Sequence, residues 1–199
     1  MGKISELHII LGQFLLWNKA RLDCFTRLLL ALFAVRTVNL SEIALAMASK
    51  TEVASRYKRL QRFFRHFRMD YHSIAQFIFS LFFTGKRLTL TLDRTNWFWG
   101  KAKINILTLA IAYEGVAIPL FWCLLNKAGN ASALEHRAML VRFIRLFGKA
   151  CILGVLADRE FASGCLFRFC NEHKIPFYIR IKEDAQIKVK AKKWHKAKN

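Results

Sequence analysis

The chain has 199 residues, with 33 Lys and Arg against 13 Asp and Glu, a formal net charge of +20. Apolar residues make up 54% and Phe alone occurs 18 times, while Gly and Pro number only 9 and 2, which excludes intrinsic disorder, collagen-like repeats and low-complexity sequence. The length suits one or two compact domains, and the charge points to a polyanionic partner, either nucleic acid or an anionic membrane surface.

Residues 1–86 carry 13 basic and 5 acidic side chains and read as helical, with no Pro. Leu22, Phe25, Leu28, Leu29 and Leu32 recur at helical spacing. Ser41 is a candidate cap for a short helix from Glu42, with Asn39 just before it. A helix over Glu52–Phe67 places Tyr57, Leu60, Phe64 and Phe67 on one side and Lys58, Arg59, Arg62 and Arg65 around the other. A further apolar helix, Tyr71–Phe83, ends before Gly85.

The period changes at residue 87. Leu88, Leu90 and Leu92 alternate with Thr89, Thr91 and Asp93, which predicts a two-faced strand. Strands over Ile104–Ala112 and Ala117–Leu125 follow, separated by the turn signal Tyr113-Glu114-Gly115. The run Ile104–Leu125 is long enough to span a membrane, but Gly115 and Pro119 divide it into two strand-length pieces, so a buried hairpin is expected. Next come the loop Asn126–Ala131, a helix over Ser132–Phe147, a strand Cys151–Ala157 stopping at Asp158, a helix Ser163–His173 and a strand Pro176–Ile181. A meander followed by strand–helix alternation is an α/β layout. The tail 182–199 alternates around Ile187 and Val189 and is otherwise rich in Lys.

The five cysteines are odd in number and form no C-x-x-C pair, so free thiols in a reducing cytosol are expected. Cys165, Cys170 and His173 do not have a standard zinc spacing and read as helix packing. No signal peptide is expected, because Lys3, Glu6 and His8 interrupt the start.

Asp93 and Asp158 each stand at the C-terminal end of an apolar strand, the sheet edge where ligands and catalytic groups gather in α/β folds. Two carboxylates meeting there make a site for a hard divalent cation such as Mg²⁺. Either Asp alone reads more readily as a cap on the following turn; the two together, in this topology, bring the site reading level with it.

The residues around the pair add to this. LTLDRTNWFWGKAKINILTLAIAYEGVAIPLFW surrounds Asp93 and ILGVLADREFASGCLF surrounds Asp158. From Leu88 to Ile181 the chain resembles the DDE transposases of the IS-four insertion-sequence family, through D-R-T-N-W, N-I-L, A-I-P-L-x-W, L-L-x-K-x-G-N and A-D-R-E-F. The resemblance implies an α/β fold, an RNase H-like mixed sheet flanked by helices and preceded by an all-helical domain. Asp93 and Asp158 would be its first two metal-binding and catalytic acids. It implies cutting and joining of DNA at transposon ends with Mg²⁺ or Mn²⁺, a two-metal site in the complete enzyme and no covalent enzyme–DNA intermediate. The implied partners are terminal repeats, target DNA and further copies of the chain on DNA, with no membrane. The implied place is the bacterial cytoplasm, at the nucleoid when DNA is bound.

The family's third acid is a Glu in a downstream Y-x-x-R-x-x-x-E-x-x-x-x-x-x-K motif, which is absent here. The acids after Asp158 are Glu160, Glu172, Glu183 and Asp184. The expectation is therefore a transposase truncated before its third acid. Its parts would be a DNA-binding domain over 1–86, a partial core over 87–181, and a basic tail over 182–199 that starts a β-rich insertion. Strand transfer at transposon ends is then incomplete in this chain. The alternative is a non-catalytic fragment that occupies transposon ends.

Arg56, Lys58, Arg59, Arg62, Arg65 and Arg68 are the candidate DNA contacts of the first block, against the plainer reading of a solvated helix face. The helical pair within Leu40–Phe67 is a candidate helix-turn-helix variant. Arg94, Asn96, Arg159 and Glu160 either orient phosphate and metal ligands or serve turn capping. Trp97 and Trp99 either stack an extruded base or pack in the core. Asn130, Glu135 and Arg137 match the family's pattern after the third strand, with no role derivable from it.

Overall fold

The computed structural model describes residues 2–127, 129–187 and 195–197. It divides into two compact units, Met1–Phe77 and Ile78–Asn199. The division falls within a helix, upstream of the 86/87 boundary drawn from the sequence.

The first unit is helical: α1 (Gly2–Phe14), α2 (Lys19–Val35), α3 (Leu40–Ala46), α4 (Val53–His66) and the start of α5 (Tyr71–Phe82). Asn18 caps α2 through its side chain, and Arg36 ends it in the left-handed region at φ 55°. Asn39, not Ser41, caps α3: its Oδ1 accepts from the Ser41 N–H, so the helix begins at Leu40. Cys24, Leu28, Ala31, Ile43, Ala44, Met47, Leu60 and Phe63 form a buried core, with Trp17, Phe25, Tyr57 and Phe67 packed against it. The period seen in the sequence is therefore the inner stripe of α2 and α4. Phe64, expected on that stripe, is instead exposed, because Leu60, Phe63 and Phe67 already fill the inward positions.

The second unit holds a five-stranded sheet in the order β3-β2-β1-β4-β5. Its strands are β1 (Leu88–Trp99), β2 (Ala102–Tyr113), β3 (Val116–Leu124), β4 (Ile152–Ala157) and β5 (Phe177–Ile179). β1, β2 and β3 form an antiparallel meander, while β4 pairs parallel with β1 and β5 parallel with β4. It is a mixed sheet with helices packed on it and a helical unit before it, as the sequence resemblance implies. The run Ile104–Leu125 is the β2–β3 hairpin; Glu114 and Gly115 close it at φ 47° and 82°, the positive angles a two-residue hairpin turn demands.

α6 (Ala133–Phe147) and α7 (Gly164–Glu172) pack on one face of this sheet. Phe143 and Phe147 of α6 meet Phe79, Phe147 meets Phe121 of β3, and Phe167 of α7 stacks on Phe177 of β5. Leu90, Leu109, Ile111, Phe121, Val155 and Leu140 are fully buried on this side, each contributing about 2 kcal/mol by area removed from water. Ser132 and Glu135 form a reciprocal capping box at the start of α6. In the tail, β6 (Gln186–Ile187) pairs antiparallel with β7 (His195–Lys196). Val189 lies outside the described residues. Among the described residues no single helix is long and apolar enough to cross a membrane.

Candidate active site and basic helix

Strand alternation decides where the two aspartates point. In β1, Leu88, Leu90 and Leu92 are buried toward the helices, so Thr89, Thr91 and Asp93 face the other way. β4 follows in register: Thr89 pairs with Gly154, Thr91 with Leu156 and Leu92 with Ala157. Asp93 and Asp158 each directly follow the last residues of that pairing, Leu92 and Ala157. Both carboxylates are exposed.

Each aspartate is oriented in the same way. Asp93 Oδ1 accepts from the Arg94 backbone N–H and Asp158 Oδ1 from the Arg159 N–H, both at 2.7 Å. Asp158 thereby caps the 3-10 turn Arg159–Phe161. The capping reading thus holds for Asp158, and these bonds use one oxygen of each carboxylate. Asp158 borders an open cleft of about 600 Å³ with Thr91, Leu156, Tyr178 and Arg180. It also borders a second hollow lined by Arg159, Arg180 and Lys182. Carboxylate oxygens with cations at the rim suit a hard divalent ion and the phosphates it accompanies. Among the described residues no group of three or more His, Cys, Asp or Glu side chains is gathered to hold a metal, so Cys165, Cys170 and His173 form no such site.

β1 does not end at Asp93. It runs on to Trp99, paired with β2 alone, because β4 stops at Ala157. The sequence expectation of a strand end is therefore corrected: Asp93 marks the end of the β1–β4 pairing, and a hairpin projects beyond it. Trp97 is 46% and Phe98 67% exposed on that projection. The Trp99 side chain lies outside what is described. Asn96 is exposed, opposite Asn105 in register.

Arg94 is buried on the helix side, with only 8% of its side chain exposed. Its Nε donates to Glu160 Oε1 at 2.9 Å and its Nη2 to Glu160 Oε2 at 2.7 Å, a two-pronged ion pair. Nη1 also reaches Asn105 Oδ1 and Gly129 O, and Nη2 reaches Asn130 Oδ1. Hydrogen bonding to Glu160 raises the Arg94 pKa above its ordinary value. Arg159, by contrast, is exposed, and its backbone rather than its side chain serves Asp158.

Asn105 opens the N-I-L motif, which gave it no role of its own, so its part in the structure was missed; it is 1% exposed and holds the loop after β3. Its Nδ2 donates to Gly129 O at 2.9 Å and to Lys127 O at 3.2 Å. Glu135 completes the anchorage by pairing with Lys127 at 2.6 Å, and that bond foremost pulls its carboxyl down to about 2. His136, also missed, is buried against Phe161 with its ring centroid 4.6 Å away. Burial pushes its pKa down, and its Nδ1 has no hydrogen-bond partner.

The basic helix α4 separates into two groups. Arg56 is turned onto the end of α3, donating to Leu45 O and to Met47 O. Arg59 donates to Ala20 O and pairs with Asp23 at 3.0 Å. Both are taken up by contacts inside the unit, because they sit beside the buried stripe rather than opposite it. Lys58, Arg62 and Arg65 are exposed and recur at i, i+4 and i+7, a single outward stripe, with exposed Arg68 beyond the helix end. Arg62 also lines a hollow of about 290 Å³ with Arg21, His66 and Phe67.

No protein-family model matches the chain, and no curated protein matches it in sequence. Among solved structures it is similar to the HTLV-2 integrase catalytic core domain in complex with magnesium, in a dimeric form (19% identity, TM-score 0.37, covering 47% of this chain and 61% of that one). The trimeric form of the same domain gives 18% identity, TM-score 0.37, and coverage of 48% and 60%. The simian T-cell lymphotropic virus intasome in complex with PP2A regulatory subunit B56 gamma gives 14% identity, TM-score 0.37, and coverage of 47% and 34%. The chain thus spans about three fifths of the length of those integrase cores.

Proposed function

We propose that this chain carries the first two acids of a DDE polynucleotidyl transferase, and that it is a transposase of the IS-four insertion-sequence family acting on transposon ends. One observation carries the reading: Asp93 and Asp158 directly follow Leu92 and Ala157, the last residue pair of two neighbouring parallel strands. The motifs D-R-T-N-W and A-D-R-E-F begin at the point where the β1–β4 pairing ends, which is what supports the family.

Asp93 and Asp158 would hold Mg²⁺ or Mn²⁺. When bound, the metal activates an attacking oxygen and stabilises the leaving one in phosphoryl transfer. The chain's own residues do the rest. The Arg94 and Arg159 N–H groups aim the two carboxylates. Arg180 and Lys182, beside Asp158, offer positive charge to the DNA backbone. Lys58, Arg62, Arg65 and Arg68 supply phosphate contacts from the helical unit, with α3 and α4 as its helix-turn-helix. The DNA partners are the terminal repeats and target DNA, on which copies of the chain assemble; the place of action is the bacterial cytoplasm.

The lack of a third gathered acid among the described residues favours a second reading, a fragment that occupies transposon ends without cutting them. Nicking separates the two. A labelled duplex taken from the DNA flanking the reading frame is incubated with Mg²⁺ or Mn²⁺ and the chain, Asp93→Ala or Asp158→Ala. Nicking abolished by both substitutions is the expected result. Salt-sensitive binding without nicking in all three proteins would refute the catalytic reading and leave the occupying fragment.

A further inference from the structure

We propose that Arg94 and Glu160 are positioning residues for the carboxylate pair: their ion pair ties the segment carrying Asp93 to the turn carrying Asp158 and sets the gap a divalent cation must bridge. The inference rests on the carboxylate-site reading above and deepens it.

Arg94 directly follows Asp93, and Glu160 lies in the 3-10 turn that Asp158 caps. The backbone pairing of β1 with β4 ends at Leu92 and Ala157, one residue short of the aspartates. Beyond that point the link is made by side chains. The guanidinium fork meets both Glu160 oxygens, at 2.9 and 2.7 Å. A fork on a carboxylate fixes orientation as well as distance, which a lysine point charge does not. Alternation puts Asp93 on one sheet face and Arg94 on the other, so the clamp works from beneath the site.

The remaining contacts exclude the competing role of gripping substrate phosphate. Nε, Nη1 and Nη2 are all engaged by Glu160, Asn105, Gly129 and Asn130, and the side chain is only 8% exposed. Its hydrogen-bonding capacity is spent inside the protein. The same contacts bring the loop 126–131 into the assembly, so loop, β1 and the 3-10 turn are held at one point.

The test is Mn²⁺ binding to the full chain, followed by electron paramagnetic resonance, for wild type, Arg94→Lys, Glu160→Gln, Asp93→Asn and Asp158→Asn. Removing partners that orient metal ligands typically weakens metal affinity by about 10–100-fold. A rise of that size in the Mn²⁺ Kd is expected for Arg94→Lys and Glu160→Gln, with circular dichroism unchanged at the measuring temperature. Glu160→Asp, which keeps the charge but shortens the arm, covers the case in which the other two fail to fold; a roughly tenfold rise is expected. The metal concentration for half-maximal nicking should rise in parallel while the rate at saturating metal is retained, a split that a role in fold stability alone would not produce. An Mn²⁺ Kd within about threefold of wild type, in variants whose Asp counterparts lose binding, would overturn the positioning role and leave the carboxylate site standing. Absence of Asp-dependent binding in the wild-type chain would overturn both.

Discussion

Replacing Asn105 with leucine removes its hydrogen bonding in the second unit while keeping the branched shape and the number of side-chain heavy atoms. Asn105 is 1% exposed. Its Nδ2 satisfies Gly129 O and Lys127 O, and its Oδ1 accepts from the charged Arg94. Two neutral bonds contribute about 1 kcal/mol each, and a bond from a charged donor about 1.5 or more. The Arg94 bond is long, at 3.3 Å, and belongs at the low end. The expected loss is therefore about 3 kcal/mol. Equilibrium urea unfolding followed by circular dichroism measures it. The loss should also be local, because the two carbonyls belong to the loop after β3. Trypsin cleavage after Lys127 should accelerate well before global unfolding. A loss under about 1 kcal/mol, with cleavage after Lys127 unchanged, would refute the claim that Asn105 anchors this loop.

Leu140 is fully buried on α6, so Leu140→Ala should cost about 2–5 kcal/mol in urea unfolding. Stability should fall on acidification in two stages. His136 is held below its ordinary 6.5 by burial, so the unfolded chain takes up its proton first and stability drops as pH falls below about 6.5. Glu135 is held at about 2 against an ordinary 4.5, so its contribution is complete above pH 4.5 and is lost between 4.5 and 2; Glu135→Gln should flatten that lower stage in a pH series of unfolding curves. Burial pushes Cys170 up to about 11 and raises Cys24, so a thiol reagent should label exposed Cys123 in the native chain and Cys24 and Cys170 only on unfolding. Substituting Lys58, Arg62 and Arg65 together by Ala should shallow the salt dependence of DNA binding, by about 0.9 in log–log slope for every phosphate these side chains neutralise, whereas Arg59→Ala should act mainly on stability.

Much of the fold was legible because the signals are local. The leucine–threonine alternation of 88–93 and the Tyr113-Glu114-Gly115 turn each act within a few residues, and the strands they mark are present. The N-terminus of α3 was misplaced because Asn39 and Ser41 both suit a cap, and only the bond from the Ser41 N–H to Asn39 Oδ1 decides between them. The continuation of β1 to Trp99 was hidden for a different reason. A strand that has lost one neighbour keeps the other, and pairing with β2 needs no apolar alternation to sustain it.

The site divides along the same line. That Asp93 and Asp158 directly follow the last pair of one strand pairing comes from a single register, and the motifs pointed to both residues. Arg94 and Glu160 were noticed only as neighbours of those aspartates, because an ion pair closing 66 positions apart leaves no spacing to read. Asn105 was seen only as the first residue of the N-I-L motif, which says nothing of what its side chain holds. Its importance comes from chain segments brought to it by the fold, namely the loop carbonyls and a buried guanidinium. The α4 arginines make the converse point. Arg56 and Arg59 are chemically identical to Arg62 and Arg65, and one helical period cannot tell which cations a neighbouring helix will neutralise. Asp23 and the end of α3 make that choice, leaving Lys58, Arg62 and Arg65 as the exposed stripe of the helix.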